Sequence, residues 1–228
     1  MTSLLPHAED KARVVEQMFD RVAGRYDLLN RMLTFGMDIG WRRAAVRSLR
    51  TDSGARVLDV ACGTGDLCRD LESAGAVAIG IDFSAGMLAS AHTTAPLVRG
   101  DALRLPFPDA SFAGLTCGFA LRNFTALGTF FDECARVLRP GARFAFLDVA
   151  EPPNPIARAV HGVWFRRVVP IVGGIVSDRR AYAYLPASTA YLPQTAQLVL
   201  DIAHHGFEQI EHRVLGAGAA QLVTGARA

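Results

Sequence analysis

The stretch Arg56-Val-Leu-Asp-Val-Ala-Cys-Gly-Thr-Gly-Asp66, followed by Ile79-Gly-Ile-Asp82, constrains this chain more than any other part of it. A short apolar run that carries an acid and leads into Cys62-Gly63-Thr64-Gly65 reads as a buried strand turning tightly into a helix. Glycine allows positive φ and has no Cβ, so backbone here can approach a ligand closely. Asp82, seventeen residues after Gly65, ends a second apolar run, where a carboxylate can accept both hydroxyls of a ribose. The two runs together predict a nucleoside lying across the top of a parallel sheet.

A dinucleotide fingerprint needs a third glycine three residues after the second, and Cys68 stands there. Asp59, four residues before Gly63, would repel a pyrophosphate. An acidic loop mouth suits a cation, and S-adenosylmethionine carries a sulfonium and an α-amino group and no phosphate. Asp101, in Val98-Arg-Gly-Asp101-Ala102, ends a third apolar run. Its carboxylate could accept from an adenine amino group while the Ala102 amide donates to the ring; an Asp there could also merely cap a turn. Asp59, Asp82 and Asp101 form a series at strand ends, where open parallel sheets bind ligands. With them, Cys62, Gly63, Thr64, Gly65, Phe83, Met87, Ala102 and Gly118 make up the candidate cofactor set.

With 228 residues, half of them apolar, the chain can bury a core without staples. No run of about 18 uncharged apolar residues predicts a membrane-spanning helix, and Met1 to Asp10 lacks the pattern of a secretory leader. The four cysteines, Cys62, Cys68, Cys117 and Cys134, form no C-x-x-C pair and read as reduced thiols in a cytoplasmic protein. The histidines show no metal spacing; His204 and His205 are adjacent, point apart on a helix and read as solvated surface. No metal is expected. Net charge is +2, and no basic block of five or more occurs, so nucleic acid is not an expected partner.

Val14, Val15, Met18, Phe19 and Val22 give residues 9–22 an amphipathic helical pattern, and residues 26–50 continue as helical pieces interrupted near Gly36 and Gly40. Strands are expected at 56–60, 77–81, 96–100, 112–118 and 143–149, with helices near 66–74, 85–92 and 124–138. Pro140-Gly141 reads as the stop after a helix ending at Leu138-Arg139. Pro152, Pro153 and Pro155 break the pattern before a mostly helical insertion to about His205, and strands at 207–215 and 219–225 close the chain as a hairpin. The expected organisation is one domain over 1–228: a helical cap (1–50), a cofactor-binding core (51–150), a helical insertion (151–205) and a C-terminal hairpin (206–228).

Phe19-Asp-Arg-Val-Ala-Gly-Arg-Tyr-Asp-Leu-Leu-Asn30, with Gly36 and Trp41, resembles the N-terminal signature of the ubiquinone/menaquinone biosynthesis C-methyltransferases. Phe119-Ala-Leu-Arg-Asn123 resembles their strand-four motif, and Arg136-Val-Leu-Arg-Pro-Gly141 and Tyr182-Ala-Tyr-Leu-Pro-Ala-Ser188 match further segments in order. The resemblance implies an α/β, Rossmann-like class I methyltransferase whose seven-stranded sheet is parallel except for its last strand. It also implies S-adenosylmethionine as donor and a prenylated quinol as acceptor, demethylmenaquinol or a ubiquinol precursor. Three positions depart from the pattern. Gly118 replaces a frequent serine, Asp148-Val-Ala150 replaces a Glu-x-Ser, and Asp38-Ile39-Gly40 replaces a His-Arg before the tryptophan.

Methyl transfer to an aromatic carbon asks the protein to align an in-line attack and to favour loss of an adjacent phenolic proton. Arg122 is the candidate to stabilise that phenolate or orient a water as base, with Asn123 positioning a quinol oxygen. Tyr26 and Asp27 either close the donor or acceptor pocket or fix the N-terminal helices to the core. Residues 156–176, strongly apolar with interspersed arginines, could form a groove for an isoprenoid tail, a peripheral contact with the inner membrane, a buried helix or a homodimer interface. The alternatives on function are a related methyltransferase of secondary metabolism acting on another phenolic or small acceptor, a dinucleotide oxidoreductase opposed by the missing glycine, and a catalytically silent binding module.

Overall fold

Strands joined through helices run parallel, because each crossover returns the chain to the same end of the sheet. The computed structural model describes residues 8–150, 152, 154, 158, 162, 163, 184 and 187–228. Among them, β1 (Arg56–Val60), β2 (Val77–Asp82), β3 (Leu97–Arg99), β4 (Phe112–Gly118), β5 (Leu138–Val149), β6 (Phe207–Leu215) and β7 (Ala220–Arg227) form one sheet in the order β3-β2-β1-β4-β5-β7-β6. All neighbouring pairs from β3 to β5 are parallel, and β7 alone runs against the rest, pairing antiparallel with β5 and β6. This is the expected Rossmann-like arrangement.

Period-two alternation sorts the side chains to two helical layers. Val57, Ala145, Leu147 and Leu222 face α3 (Met37–Ser48) and α4 (Asp66–Ser73). Leu58, Phe144, Phe146 and Val223 face α6 (Leu127–Val137) and α7 (Thr195–His204). On that second side Phe130, Phe131, Phe144 and Phe146 are fully buried and meet ring to ring at 4.5–5.8 Å. The N-terminal helices α1 (Ala8–Val22) and α2 (Tyr26–Leu33) have a small core of their own in Met18, Val22 and Leu29.

Several boundaries differ from those expected. α3 runs unbroken through Gly40, so the only interruption in this stretch is the turn at Thr34–Gly36, where Phe35 and Gly36 both have positive φ. The short helix α5 spans only Ala85–Ala89, capped by Ser84. Pro140-Gly141 follows the helix end closely, but the next strand starts before it rather than after it. α6 stops at Val137 and β5 starts at Leu138, pairing with Phe112; the register then jumps so that Arg143 faces Gly114, and Pro140-Gly141 occupies the exposed bulge between. Arg136 holds this corner by donating to Glu133 and Asp109 and to the carbonyls of Phe107 and Leu105. His205 is not simply solvated: its Nδ1 lies 2.8 Å from Asp132. The expected insertion at 151–205 lies largely outside the described residues, and so does nearly all of segment 156–176.

Gly80 lies between β3 and the loop after β1. A Cβ there would stand 2.6 Å from Leu97 Cδ2 and 2.8 Å from Cys62 Sγ. Gly80→Ala is therefore expected to destabilise the fold by the roughly 1–3 kcal/mol of core overpacking, read as a lower melting temperature.

Candidate active site

The carboxyl ends of β1 to β4 surround a cavity of about 690 Å³, roofed by α1, α2 and the turn into α3. That volume falls within the range of about 300–1,000 Å³ usual for small-molecule sites. The sheet order reverses between β1 and β4, the switch point where open parallel sheets leave room for a ligand.

The loop after β1 forms one wall. Ala61, Gly63 and Gly65 all have positive φ (55°, 55° and 84°), which turns the chain sharply into α4. The Gly63 amide donates to Asp82 Oδ2 at 2.8 Å and the Ser84 amide to Oδ1 at 2.8 Å, so one carboxylate ties the end of β2 to the glycine loop. The Phe83 amide also acts on this carboxylate, which still keeps acceptor capacity, and Asp82 lines the cavity. At Gly63 an added Cβ would meet only Met87 Cε, at 3.8 Å, so this glycine opens toward the cavity. Gly65 is different. It does not line the cavity, and a Cβ there would stand 2.6 Å from Thr93 Cγ2, so its small size serves packing rather than ligand approach.

Asp59 is buried along one wall. It accepts from Thr116 Oγ1 at 2.7 Å and lies 3.6 Å from Cys68 Sγ, and burial pushes its carboxyl up to about 7. Cys68, where a dinucleotide site would have glycine, is the floor beneath that acid. Cys62, Thr64, Phe83, Met87, Ala102 and Gly118 line the cavity. Asp101 both lines it and caps its own turn, accepting from the Leu103 amide at 2.9 Å. Gly118 lies under Leu67, whose Cδ1 would be 2.7 Å from an added Cβ.

The opposite wall carries Arg122 and Asn123 on a short turn after β4. Phe119, which begins that turn, is held at φ 58°. Arg122 is buried and its Nη1 pairs with the fully buried Asp148, while its Nε donates to Ser188 at 3.2 Å. Asp148 also accepts from the Val149 amide, and its Oδ2 has no partner. Asn123 Oδ1 accepts from the Tyr184 hydroxyl at 3.3 Å. Tyr26 lines the cavity and packs edge-on against Phe19, with its hydroxyl pushed up by burial. Asp27 does not line it; Asp27 accepts from Thr64 Oγ1 at 2.5 Å and so fastens α2 to the glycine loop.

That contact is one of several that seat the roof, among them Arg31 with Asp66 at 3.7 Å. Lys11 Nζ donates to the Phe124 carbonyl at 2.9 Å, Glu16 pairs with Arg99 at 3.0 Å, and Asp20 accepts from Ser84 Oγ and the Gly86 amide at 2.5 and 2.8 Å. Each reaches a different loop above the sheet. The pattern of α1 showed its apolar face but not that Val15, Glu16 and Phe19 look into the cavity. Other unforeseen lining residues are Trp41, Asp38 and Arg42. Asp38, one of the departures noted above, pairs with Arg42 at 2.5 Å, and Arg42 reaches Asp66 and Asp70 at 3.1 and 3.0 Å.

A sequence model of the ubiE/COQ5 methyltransferase family matches residues 7–227. The demethylmenaquinone methyltransferase of Roseiflexus castenholzii is 40% identical over 232 residues, covering 98% of both chains. That of Deinococcus radiodurans is 42% identical, covering 95% of this chain and 94% of its own. The ubiquinone/menaquinone biosynthesis C-methyltransferase UbiE of Geobacter sulfurreducens is 36% identical, covering 95% and 89%. Among solved structures, a SAM-dependent methyltransferase of Thermotoga maritima matches in fold with a TM-score of 0.67 at 17% identity, over 93% of this chain and 99% of that one. The phosphoethanolamine N-methyltransferase 2 of Haemonchus contortus, in complex with S-adenosyl-L-methionine, matches with a TM-score of 0.61 at 15% identity, over 82% and 52%.

The raised carboxyl of Asp59 has a signed consequence. Its folded pKa of about 7 exceeds the ordinary 3.8, so the folded state holds a proton that the unfolded state releases. This contribution to stability is fully present below the ordinary value and is lost as pH rises through about 7. Melting curves of the unliganded protein should show that decline, and Asp59→Asn should flatten it.

Proposed function

The chain belongs to the ubiE/COQ5 methyltransferase family, and on that footing we propose that it C-methylates a prenylated quinol, with demethylmenaquinol as the acceptor. It is an S-adenosylmethionine-dependent methyltransferase. The observation that carries the acceptor reading is the single cavity. It joins a glycine loop with three strand-end acids at one side to a buried arginine and an asparagine at the other, under an apolar roof. Its relatives named demethylmenaquinone methyltransferase support the menaquinol side of the pathway choice.

The residues present fit the donor. Gly63 leaves open space, Asp82 keeps acceptor positions for ribose hydroxyls, and Asp101 with Ala102 suits an adenine edge. Burial pushes the Asp59 carboxyl up to about 7, and a positive charge bound nearby would favour its ionised form. When bound, the donor supplies an electrophilic methyl carbon on a sulfonium. The chain's part is to hold the acceptor ring in line, exclude water and favour the phenolate.

Arg122 takes that last role. Of its five N–H donors, one goes to Asp148 and one to Ser188, which fixes the guanidinium plane at the cavity wall. The remaining donors are aimed by those two anchors, and they stabilise a developing phenolate oxygen. Asn123 orients the same ring oxygen, and Asp148 acts through Arg122 as its positioning residue. The charge of Asp148 also tempers Arg122, so the pair is preorganised rather than a loose cation. Peripheral contact with the membrane that holds the acceptor belongs to the same reading; among the described residues no helix is long and apolar enough to cross it.

The direct test is to incubate the purified protein with methyl-labelled donor and demethylmenaquinol. One label should appear on the quinol ring carbon, and a deletion strain should accumulate demethylmenaquinone. Labelling of oxygen, or an unchanged quinone profile, would reassign the acceptor. Arg122→Ala should lower kcat by about 100-fold or more with donor affinity unchanged. Asp148→Ala should cost nearly as much alone, and add little in the Arg122→Ala background. Full additivity in that cycle would mean that Asp148 serves the fold and not the arginine.

A further inference from the structure

The outer side of the roof has a composition unlike the rest of the surface. Leu28, Met32, Phe35 and Met37 are 58, 48, 71 and 41% exposed, four large apolar side chains within ten residues. Leu28 and Met32 are one turn apart on α2 and so share a face, while Leu29 on another side of the helix is fully buried in the roof's own core. The turn that follows holds Phe35 at φ 53° with its ring largely in solvent. Phe35 and Met37 also line the cavity, so this apolar patch is the rim of its mouth. Single exposed hydrophobics are ordinary, but a cluster at the opening of a ligand site marks an interaction surface.

The charges around it are sorted. From residue 20 to residue 38 the acids are Asp20, Asp27 and Asp38, and each is engaged with the body of the protein: Asp20 with Ser84 and Gly86, Asp27 with Thr64, Asp38 with Arg42. Over the same stretch Arg21, Arg25 and Arg31 are exposed, Arg31 lying 3.7 Å from Asp66. Of the acids only Asp20 is exposed, so the exposed charge beside this leucine, methionine and phenylalanine is mostly basic. A surface with an apolar centre and a basic border complements a bilayer with anionic headgroups, into which apolar side chains insert while arginines stay at headgroup level.

We propose that α2 and the turn into α3 form a docking surface for an anionic lipid bilayer, placing the cavity mouth against the membrane. The proposal deepens the reading of a prenylated acceptor and rests on it, since a lipid-borne tail gives the mouth a reason to face lipid. Seated there, the ring enters past Phe35 and Met37 while the tail stays in the bilayer, so the cavity need not enclose the tail.

Co-sedimentation with vesicles tests this. The full-length protein should partition onto phosphatidylcholine vesicles containing phosphatidylglycerol, less at high salt, and far less onto phosphatidylcholine alone. Arg25→Glu with Arg31→Glu should weaken partition by about tenfold or more, and Leu28→Ser with Met32→Ser by a similar factor of about ten. The Leu28 and Met32 changes lie on the exposed face, so melting temperature and methyl transfer to a detergent-dispersed, short-tailed acceptor should stay at the wild-type level. Absence of wild-type binding to the anionic vesicles would overturn the proposal. So would binding that neither pair of substitutions changes. A dimer in solution that the Leu28 and Met32 changes dissociate, without vesicle binding, would make the patch a self-interface instead. Loss of transfer to the detergent-dispersed acceptor by the wild type would sink the quinol reading and leave the vesicle result standing.

Discussion

The site depends on one carboxylate. Asp82 accepts the Gly63 amide with one oxygen and the Ser84 amide with the other, which locks the glycine loop of β1 to the end of β2. A loop with three left-handed residues in five has little conformational preference of its own. Without an anchor its backbone would sample many shapes, each with a different cavity wall. Asp27 adds a second anchor through Thr64, and Asp20 extends the same logic to the loop after β2. Acids hold backbone amides in place here, and the same acids create the negative potential that a cationic donor meets.

Buried charge is arranged so that each wall of the cavity is rigid without being saturated. Arg42 is enclosed by Asp38, Asp66 and Asp70, with Asp66 shared with Arg69 and Arg31 and its carboxyl raised by burial. Arg122 has a single acid, Asp148, one of whose oxygens has no partner. Removing one member of such a pair is costly, because the other is left as an unpaired buried charge. Both arginines are held through Nε and Nη1 and both line the cavity; Arg42 also joins α3 to α4, whereas Arg122 joins the turn after β4 to β5. A shorter acid at 148 than the family's usual glutamate goes with a pairing through one oxygen only.

The roof explains how a soluble donor and a lipid-borne acceptor can share one cavity. Its polar contacts are local, to the glycine loop, the start of α4, the end of β3 and the loops after β2 and β4. Its apolar core is small, built on Met18, Val22 and Leu29. An element held this way opens more easily than the sheet beneath it, since few buried apolar contacts oppose local release. The large aromatic core on the other side of the sheet stays out of that motion.

The sequence by itself determined where the strands lie, that the sheet is largely parallel, and the strand-end acids, because apolar runs ending in glycine or aspartate and joined by helical crossovers leave few other solutions. It also singled out Arg122 and Asn123 as a pair after β4. It misplaced the start of β5, since Pro140-Gly141 ends a helix and opens a bulge with the same chemistry, and only pairing with β4 distinguishes them. It read a break at Gly40 where packing of α3 on β5 and β7 outweighs the helix cost of one glycine. Gly63 and Gly65 look alike in one dimension, yet one opens to the cavity and the other packs on Thr93. Asp148 and Arg122 are 26 residues apart in the chain and Asp27 and Thr64 are 37, so no local pattern signals either contact. Tertiary structure alone decided which acids line the cavity, which hold a loop and which do both, because that depends on neighbours brought together from different strands.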